Sequence, residues 1–114
     1  MVDNLEIREV KKFWSENPMT YGMGKFKTPE DVCNHAAAIM RKKAWFGQEK
    51  GKPILSNLIG FDSLKGKRVL EVGHGVGWLA REFINAGAIY TGIDLSTYHH
   101  EICDKLFHNI NNAE

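Results

Sequence analysis

Apolar residues in the first part of the chain recur at helical spacing. Four of them share one stripe of the segment 5–15: Ile7, Val10, Phe13 and Trp14. This spacing predicts an amphipathic helix, and we expect the pair Asn17-Pro18 to end it, because the residue before a proline disfavours helical geometry.

A second helix is predicted from Thr28 onward. Thr28 can cap the first turn, and Pro29 suits the first helical position. The predicted apolar face consists of Val32, Ala36, Ile39 and Met40, with the stem of Lys43. We expect Gly47 to end this helix. A short third helix is expected from Pro53 to Ile59.

Residues 61–114 follow a different pattern, in which short β-rich runs alternate with helical ones. The run Val69 to Val72 predicts a buried strand, and a glycine-rich bend follows it directly. A helix from Trp78, a second strand over residues 88–93 and a final helix capped by Ser96 complete the pattern. Strand, helix and strand at this spacing predict a right-handed parallel crossover. We therefore expect an α/β fold, with residues 1–60 as a helical extension.

The bend between the first strand and its helix contains Gly73, Gly75 and Gly77. Bare backbone at such a place lets a ligand lie against amide groups and the helix N-terminus. Asp94 ends the second strand and is expected beside the bend, where its carboxylate can accept hydrogen bonds from both vicinal ribose hydroxyls. The pattern predicts a nucleoside ligand with an anionic or polar tail.

Two details distinguish between nucleosides. A dinucleotide-binding loop reads G-x-G-x-x-G, but here the third glycine, Gly77, falls one position early. Glu71 at the strand end would repel a pyrophosphate, whereas S-adenosylmethionine presents an ammonium and a sulfonium. Charge therefore favours S-adenosylmethionine, and a nicotinamide-dependent dehydrogenase is the less favoured interpretation.

The run from Glu71 to Gly77, together with Asp94 and Leu95 after the second strand, resembles the cofactor-binding start of the class I S-adenosylmethionine-dependent methyltransferases. The resemblance implies a Rossmann-like fold in which the third strand lies outside the second. It implies that Asp94 holds the ribose and that Leu95 packs on the adenine. It also implies that the three glycines hold the methionine part, with Glu71 near its ammonium. The expected methyl acceptor is a small molecule, and no catalytic residue is identified.

The chain ends at Glu114, about where the resemblance places the third strand, so residues of the later half of that fold have no counterpart. We favour a chain cut short. The alternatives are a short protein that completes its sheet with a partner chain or a second copy, and a different compact fold. Catalysis by the chain itself is left open. The alternative function is a non-catalytic, methyltransferase-like module that binds cofactor or a partner chain.

The composition and charge of the chain exclude several classes of protein. The 114 residues contain 15 basic and 14 acidic side chains and are 43% hydrophobic, as in a single globular domain. A formal charge of +1 provides no broad field for a nucleic acid or an anionic membrane. Cys33 and Cys103 fit neither a disulfide framework nor a metal pattern. The N-terminus resembles no signal peptide, so a cytoplasmic location is expected.

Several other residues are weaker candidates for a role in binding or catalysis. His100, Asp104 and His108 share one helical face and could bind zinc, but that face lies opposite the apolar arc, so a solvated surface and no metal is the favoured interpretation. His74 lies in the bend, where its side chain can reach solvent or the cofactor. Tyr21 and Met23, in a loop with two glycines, are candidates for a substrate lid, with packing favoured.

Overall fold

The computed structural model describes residues 5–17, 28–42, 48–49, 52–53 and 58–114 of this chain. The elements in chain order are helix α1 (Leu5–Glu16), helix α2 (Pro29–Lys42), strands β1 (Gln48–Glu49) and β2 (Lys52–Pro53), a 3-10 turn (Phe61–Ser63), strand β3 (Arg68–Val72), helix α3 (Trp78–Asn85), strand β4 (Ile89–Ile93) and helix α4 (Thr97–Phe107). The fold is therefore mixed α/β. The predicted lid residues Tyr21 and Met23, and the predicted helix end at Gly47, lie outside the described residues.

The first two predicted helices are confirmed, and their ends have local causes. The backbone amide and the side-chain amide of Asn17 both donate to the carbonyl of Phe13, at 2.8 and 3.0 Å, where α1 ends. At the start of α2, the amide of Asp31 donates to Thr28 Oγ1 at 3.1 Å, which is the expected N-cap hydrogen bond. The predicted helix beginning at Pro53 is wrong at that residue, because Pro53 pairs with Gln48 in a two-residue antiparallel ladder.

Strands β3 and β4 pair in parallel, in register from Arg68 opposite Ile89 to Val72 opposite Ile93. The predicted strand, helix and parallel strand are confirmed. The last residues of the chain pair with the other edge of β4: the Tyr90 amide donates to the Asn112 carbonyl at 2.7 Å, and a parallel bridge joins Tyr90 to Ala113. A third chain segment thus runs parallel to β4, on the side away from β3.

The core lies on one face of the sheet. Ala80, Phe83 and Ile84 of α3 pack there against Tyr90, and Val69 adjoins them. A second cluster joins two helices to the bend that follows β3, through Val32 and Ala36 of α2, Val76 of the bend and Ile102 of α4. The helices therefore fix the bend from one side.

The opposite face of the sheet is open among the described residues. Leu70 and Val72 of β3 are 63% and 74% exposed, and Ile89 and Ile93 of β4 are 49% and 51% exposed. The prediction that β3 is buried is therefore wrong for this face, because the described residues that pack against the sheet in the core lie on its other side. Within the described ranges, no helix has the length and apolar character needed to cross a membrane.

Candidate functional site

A cleft of about 490 Å³ opens at the carboxyl ends of β3 and β4. Its walls come from both strand ends, from α1 and from the first turn of α4: Trp14, Val72, Gly73, Gly75, Ile93, Asp94, Leu95 and His99. Ligands of open α/β sheets bind at this end of the strands. Four of the six predicted cofactor-binding residues line the cleft: Gly73, Gly75, Asp94 and Leu95.

The glycines of the bend serve two purposes. Gly73 and Gly75 have φ angles of 76° and 57°, in the left-handed region that glycine adopts without strain, and their backbone lines the cleft. Gly77 does not line it. A Cβ atom at Gly77 would come within 3.0 Å of Cys103 Sγ and of the Phe107 ring, so this glycine lets α4 approach the start of α3.

The carboxylate of Asp94 ties the bend to β4. Its Oδ2 atom accepts hydrogen bonds from the Gly75 amide at 2.9 Å and from His99 Nδ1 at 3.3 Å, and Oδ1 accepts one from the Ser96 amide at 2.8 Å. The predicted closeness of this acid to the bend is confirmed. Burial alone would raise the pKa of the Asp94 carboxyl, but the amides of Ser96 and Gly75, with His99 and His74 nearby, hold the pKa below its ordinary value.

His99 lines the cleft, although its position in the sequence favours the border of the apolar arc of α4 over a functional site. It is only 5% exposed, and its backbone amide donates to Ser96 Oγ at 3.3 Å, the predicted cap of α4. Because an ionised carboxylate can only accept, His99 Nδ1 is the donor toward Asp94. Its Nε2 atom is buried without a hydrogen-bond partner among the described residues. Its position in the sequence could have indicated a place in the cleft, because the residue three positions after the helix cap lies in the first helical turn, beside the end of the strand.

His74 does not line the cleft, although its Nδ1 atom lies 4.0 Å from Asp94 Oδ2. It is 5% exposed, so the expectation that it can reach solvent is wrong. Its Nδ1 atom donates to the Gly75 carbonyl at 2.9 Å and lies 3.2 Å from Cys103 Sγ. Burial raises the pKa of the Cys103 thiol to about 12, which leaves it protonated and unsuited to act as a nucleophile at neutral pH. These residues brace the back of the bend.

Glu71 also lies away from the cleft, on the helix-covered face of the sheet. Its Oε1 atom accepts a hydrogen bond from the Tyr90 hydroxyl at 2.7 Å. Burial raises the pKa of the Glu71 carboxyl to about 7, the Tyr90 hydrogen bond opposes this change, and the charge of Asp94 adds to it. The Tyr90 ring has room to reach Glu71 because residue 92 is glycine: a Cβ atom there would lie 2.5 Å from the Tyr90 hydroxyl oxygen.

Helix α1 contributes one wall of the cleft through Trp14. The Thr97 amide at the start of α4 donates to Ser15 Oγ at 3.1 Å, which fastens the end of α1 beside Asp94 and Leu95. The Trp14 ring is 40% exposed and meets the Phe13 ring edge-on, with centroids 5.2 Å apart. The N-terminal helix and the α/β region therefore form this cleft together.

The three residues considered for zinc binding are exposed: His100 and Asp104 on α4, and His108 directly after its end. No group of three or more His, Cys, Asp or Glu side chains in the described part of the chain is placed to hold a metal ion.

The cleft combines apolar walls with one carboxylate. Trp14, Val72, Ile93 and Leu95 supply apolar surface, Asp94 supplies the anionic group, and no Lys or Arg is among the described residues that line it. Such a cleft suits a flat, hydroxyl-bearing molecule without phosphate groups. No family model, curated protein or solved structure matches this chain, so its ligand is inferred from these residues.

Proposed function

We propose that this chain binds S-adenosyl-L-methionine and forms the cofactor-binding part of a Rossmann-like methyltransferase that acts on a small molecule. One observation carries the proposal. A single cleft at the carboxyl ends of two parallel strands joins the bare backbone of Gly73 and Gly75 to the Asp94 carboxylate. This combination suits a nucleoside, because the backbone admits the ligand closely while the acid accepts a ribose hydroxyl.

The residues of the cleft fit the parts of this cofactor. Asp94 would accept from the ribose, Leu95 and Trp14 offer apolar surface to the adenine, and the backbone at Gly73 and Gly75 would lie against the methionine part. A volume of about 490 Å³ lies within the range typical of small-molecule sites. When bound, this cofactor supplies an activated methyl group.

The charge of the cleft favours this cofactor over a dinucleotide. The lowered pKa of Asp94 keeps its carboxylate ionised at neutral pH, where it attracts a sulfonium or ammonium group and repels a pyrophosphate. No Lys or Arg side chain among the described cleft residues would offset that repulsion. Glu71, whose charge was the basis of the prediction against a dinucleotide, lies outside the cleft. An acid at the position of Asp94 binds ribose in dinucleotide-binding folds as well. The lack of Lys and Arg among the described cleft residues therefore carries this part of the proposal.

The open face of the sheet favours a second candidate function. Leu70, Val72, Ile89 and Ile93 expose apolar surface, and no described strand pairs with the outer edge of β3. Unpaired edges and bare apolar faces favour association. In this alternative, the chain is a non-catalytic module that binds cofactor or completes its sheet with a partner chain.

Isothermal titration with S-adenosylhomocysteine tests the proposal. The wild-type chain should bind, and Asp94→Asn should bind at least about tenfold more weakly, because a hydrogen bond to a charged group is lost. Asp104→Asn removes the same charge from an exposed position outside the cleft and should bind like the wild type. A folded wild-type chain that does not bind, or that prefers NAD, would refute the proposal.

A further inference from the structure

The carboxylate of Asp94 has little acceptor capacity left for a ligand. A carboxylate offers about four lone-pair positions, two on each oxygen. Oδ2 already accepts from the Gly75 amide and from His99 Nδ1, and Oδ1 accepts from the Ser96 amide. Among the contacts of the described residues, this leaves one acceptor position, and it is on Oδ1.

The occupation of Oδ2 depends on a buried histidine ring. His99 is 5% exposed, and its backbone is held by the hydrogen bond to Ser96 Oγ. The ring makes its hydrogen bond through Nδ1, since Nε2 has no partner among the described residues. Turning the ring away from Asp94 would give up the one side-chain hydrogen bond that His99 makes among the described residues, which is unfavourable. His99 therefore keeps Oδ2 occupied.

We infer that Asp94 accepts a hydrogen bond from only one of the two ribose hydroxyls, through Oδ1, and that His99 imposes this selectivity as a positioning residue. The inference rests on the proposed function, because it takes the ribose of S-adenosylmethionine as the group bound. The sequence pattern alone predicts contacts to both hydroxyls. The packed geometry instead makes one hydroxyl essential and the other dispensable.

Deoxy analogues test this inference directly. The wild-type chain is titrated with S-adenosylhomocysteine and with its 2′-deoxy and 3′-deoxy forms. One analogue should bind at least about tenfold more weakly, because it lacks the hydroxyl bonded to the carboxylate, and the other should remain within about threefold. Equal losses for both analogues would overturn the inference while leaving the proposed function intact. Absence of any binding to S-adenosylhomocysteine would instead remove the proposed function, and the inference with it.

Variants of His99 test its role separately. His99→Asn keeps an N–H donor near the position of Nδ1 and should preserve the unequal losses. His99→Leu frees a position on Oδ2, so the second hydroxyl gains a contact and the two losses should converge at about tenfold. His100→Leu, at the exposed neighbouring position, is the matched control and should behave like the wild type.

Loss of fold is monitored by circular dichroism. If His99→Leu does not fold, His99→Gln replaces it, because glutamine carries its amide donor nearer the position of Nε2 and should also let the losses converge. Unequal losses that persist in the folded Leu or Gln variant would refute the positioning role of His99. Equal losses in His99→Asn would refute the part assigned to Nδ1.

Discussion

The carboxyl groups of Asp94 and Glu71 lie near the ends of neighbouring strands, and their surroundings shift their pKa values in opposite directions. Asp94 receives two backbone amides and a histidine, and its pKa is lowered. Glu71 is buried with one hydroxyl partner, and its pKa is raised to about 7. Amide donors stabilise a charge that burial alone would disfavour. The cleft side of the bend is therefore built around a permanent anion, and the helix-covered side around a carboxyl that is protonated easily.

Removal of the Asp94 carboxylate should have the largest effect on stability. Asp94→Ala leaves the Gly75 and Ser96 amides and His99 Nδ1 without their acceptor. We expect the free energy of unfolding at pH 7 to fall by about 3 kcal/mol, since several charge-assisted hydrogen bonds are lost. Urea denaturation measures this loss, and Asp104→Ala, at an exposed position, should stay within about 0.5 kcal/mol of the wild type.

The effect of Asp94→Ala should also depend on pH. A lowered pKa means that the folded state favours the ionised form, so the stabilisation is present above the ordinary value of 3.8 and disappears as the pH falls through the folded-state pKa. The difference between the wild type and the variant should therefore shrink in acid. A constant difference from pH 7 down to pH 3 would show that the carboxylate charge does not hold the bend.

Neutralisation of Glu71 should stabilise the protein at high pH, whereas removal of the Asp94 carboxylate destabilises it. The raised pKa means that the folded state favours the protonated form, so the contribution of Glu71 to stability is complete below pH 4.5 and is lost as the pH rises through about 7. Glu71→Gln should therefore stabilise the protein at pH 8, by about 2 kcal/mol. The melting temperature measured from pH 4 to pH 8 should fall less in the variant than in the wild type.

The matched control for Glu71→Gln is Glu101→Gln, an exposed position on α4, which should leave the pH dependence as it is in the wild type. If Glu71→Gln and the wild type had parallel profiles, Glu71 would not be the group that titrates near neutrality. The contrast with Asp94 would then be lost.

The sequence was sufficient to predict the features that depend on residues close together in the chain and on the geometry of parallel strands. The caps at Thr28 and Ser96 are local, since each bonds an amide three residues ahead. Asp94 was placed beside the bend because neighbouring parallel strands end at the same edge of a sheet. Which face of β3 the helices cover was not predictable, because Leu70 and Val69 are both apolar and only packing between distant elements distinguishes them.

Contacts between side chains of different helices and strands could not be predicted from the sequence either. The partner of Glu71 is Tyr90, and that pairing depends on the register of β3 against β4. Trp14 reaches the cleft only because α1 docks on the start of α4. No spacing within one segment indicates such a contact, because it depends on the relative placement of whole helices.

Substitution of Gly92 should disturb the hydrogen bond between Tyr90 and Glu71 and leave the glycine-rich bend unchanged. A Cβ atom at this position would lie 2.5 Å from the Tyr90 hydroxyl oxygen and 3.0 Å from the ring carbon that carries it, so the ring must move and its hydrogen bond to Glu71 must weaken. We expect Gly92→Ala to cost about 1.5 kcal/mol, as overpacking commonly does. Urea denaturation measures this cost.

Gly66→Ala is the control for Gly92→Ala, because Gly66 has a φ of 75° but no atom within 4 Å of its added Cβ. Its expected cost is about 1 kcal/mol, from backbone conformation alone. Only Gly92→Ala should move the pH dependence assigned to Glu71. An unchanged pH profile in Gly92→Ala would mean that the Tyr90 hydrogen bond has no influence on that carboxyl.

Truncation of Trp14 should have the smallest effect on stability, because its side chain is 40% exposed and α1 buries none of its residues. We expect Trp14→Ala to lower the free energy of unfolding by less than about 1 kcal/mol. Its effect should instead appear in the affinity for S-adenosylhomocysteine, with a loss of about tenfold for one aromatic contact. Phe13→Ala, the neighbouring aromatic position outside the cleft, should leave the affinity within about threefold of the wild-type value, by the same reasoning that exposed contacts contribute little. An affinity loss within about threefold for Trp14→Ala as well would place the ligand away from α1 and confine the site to the strand ends.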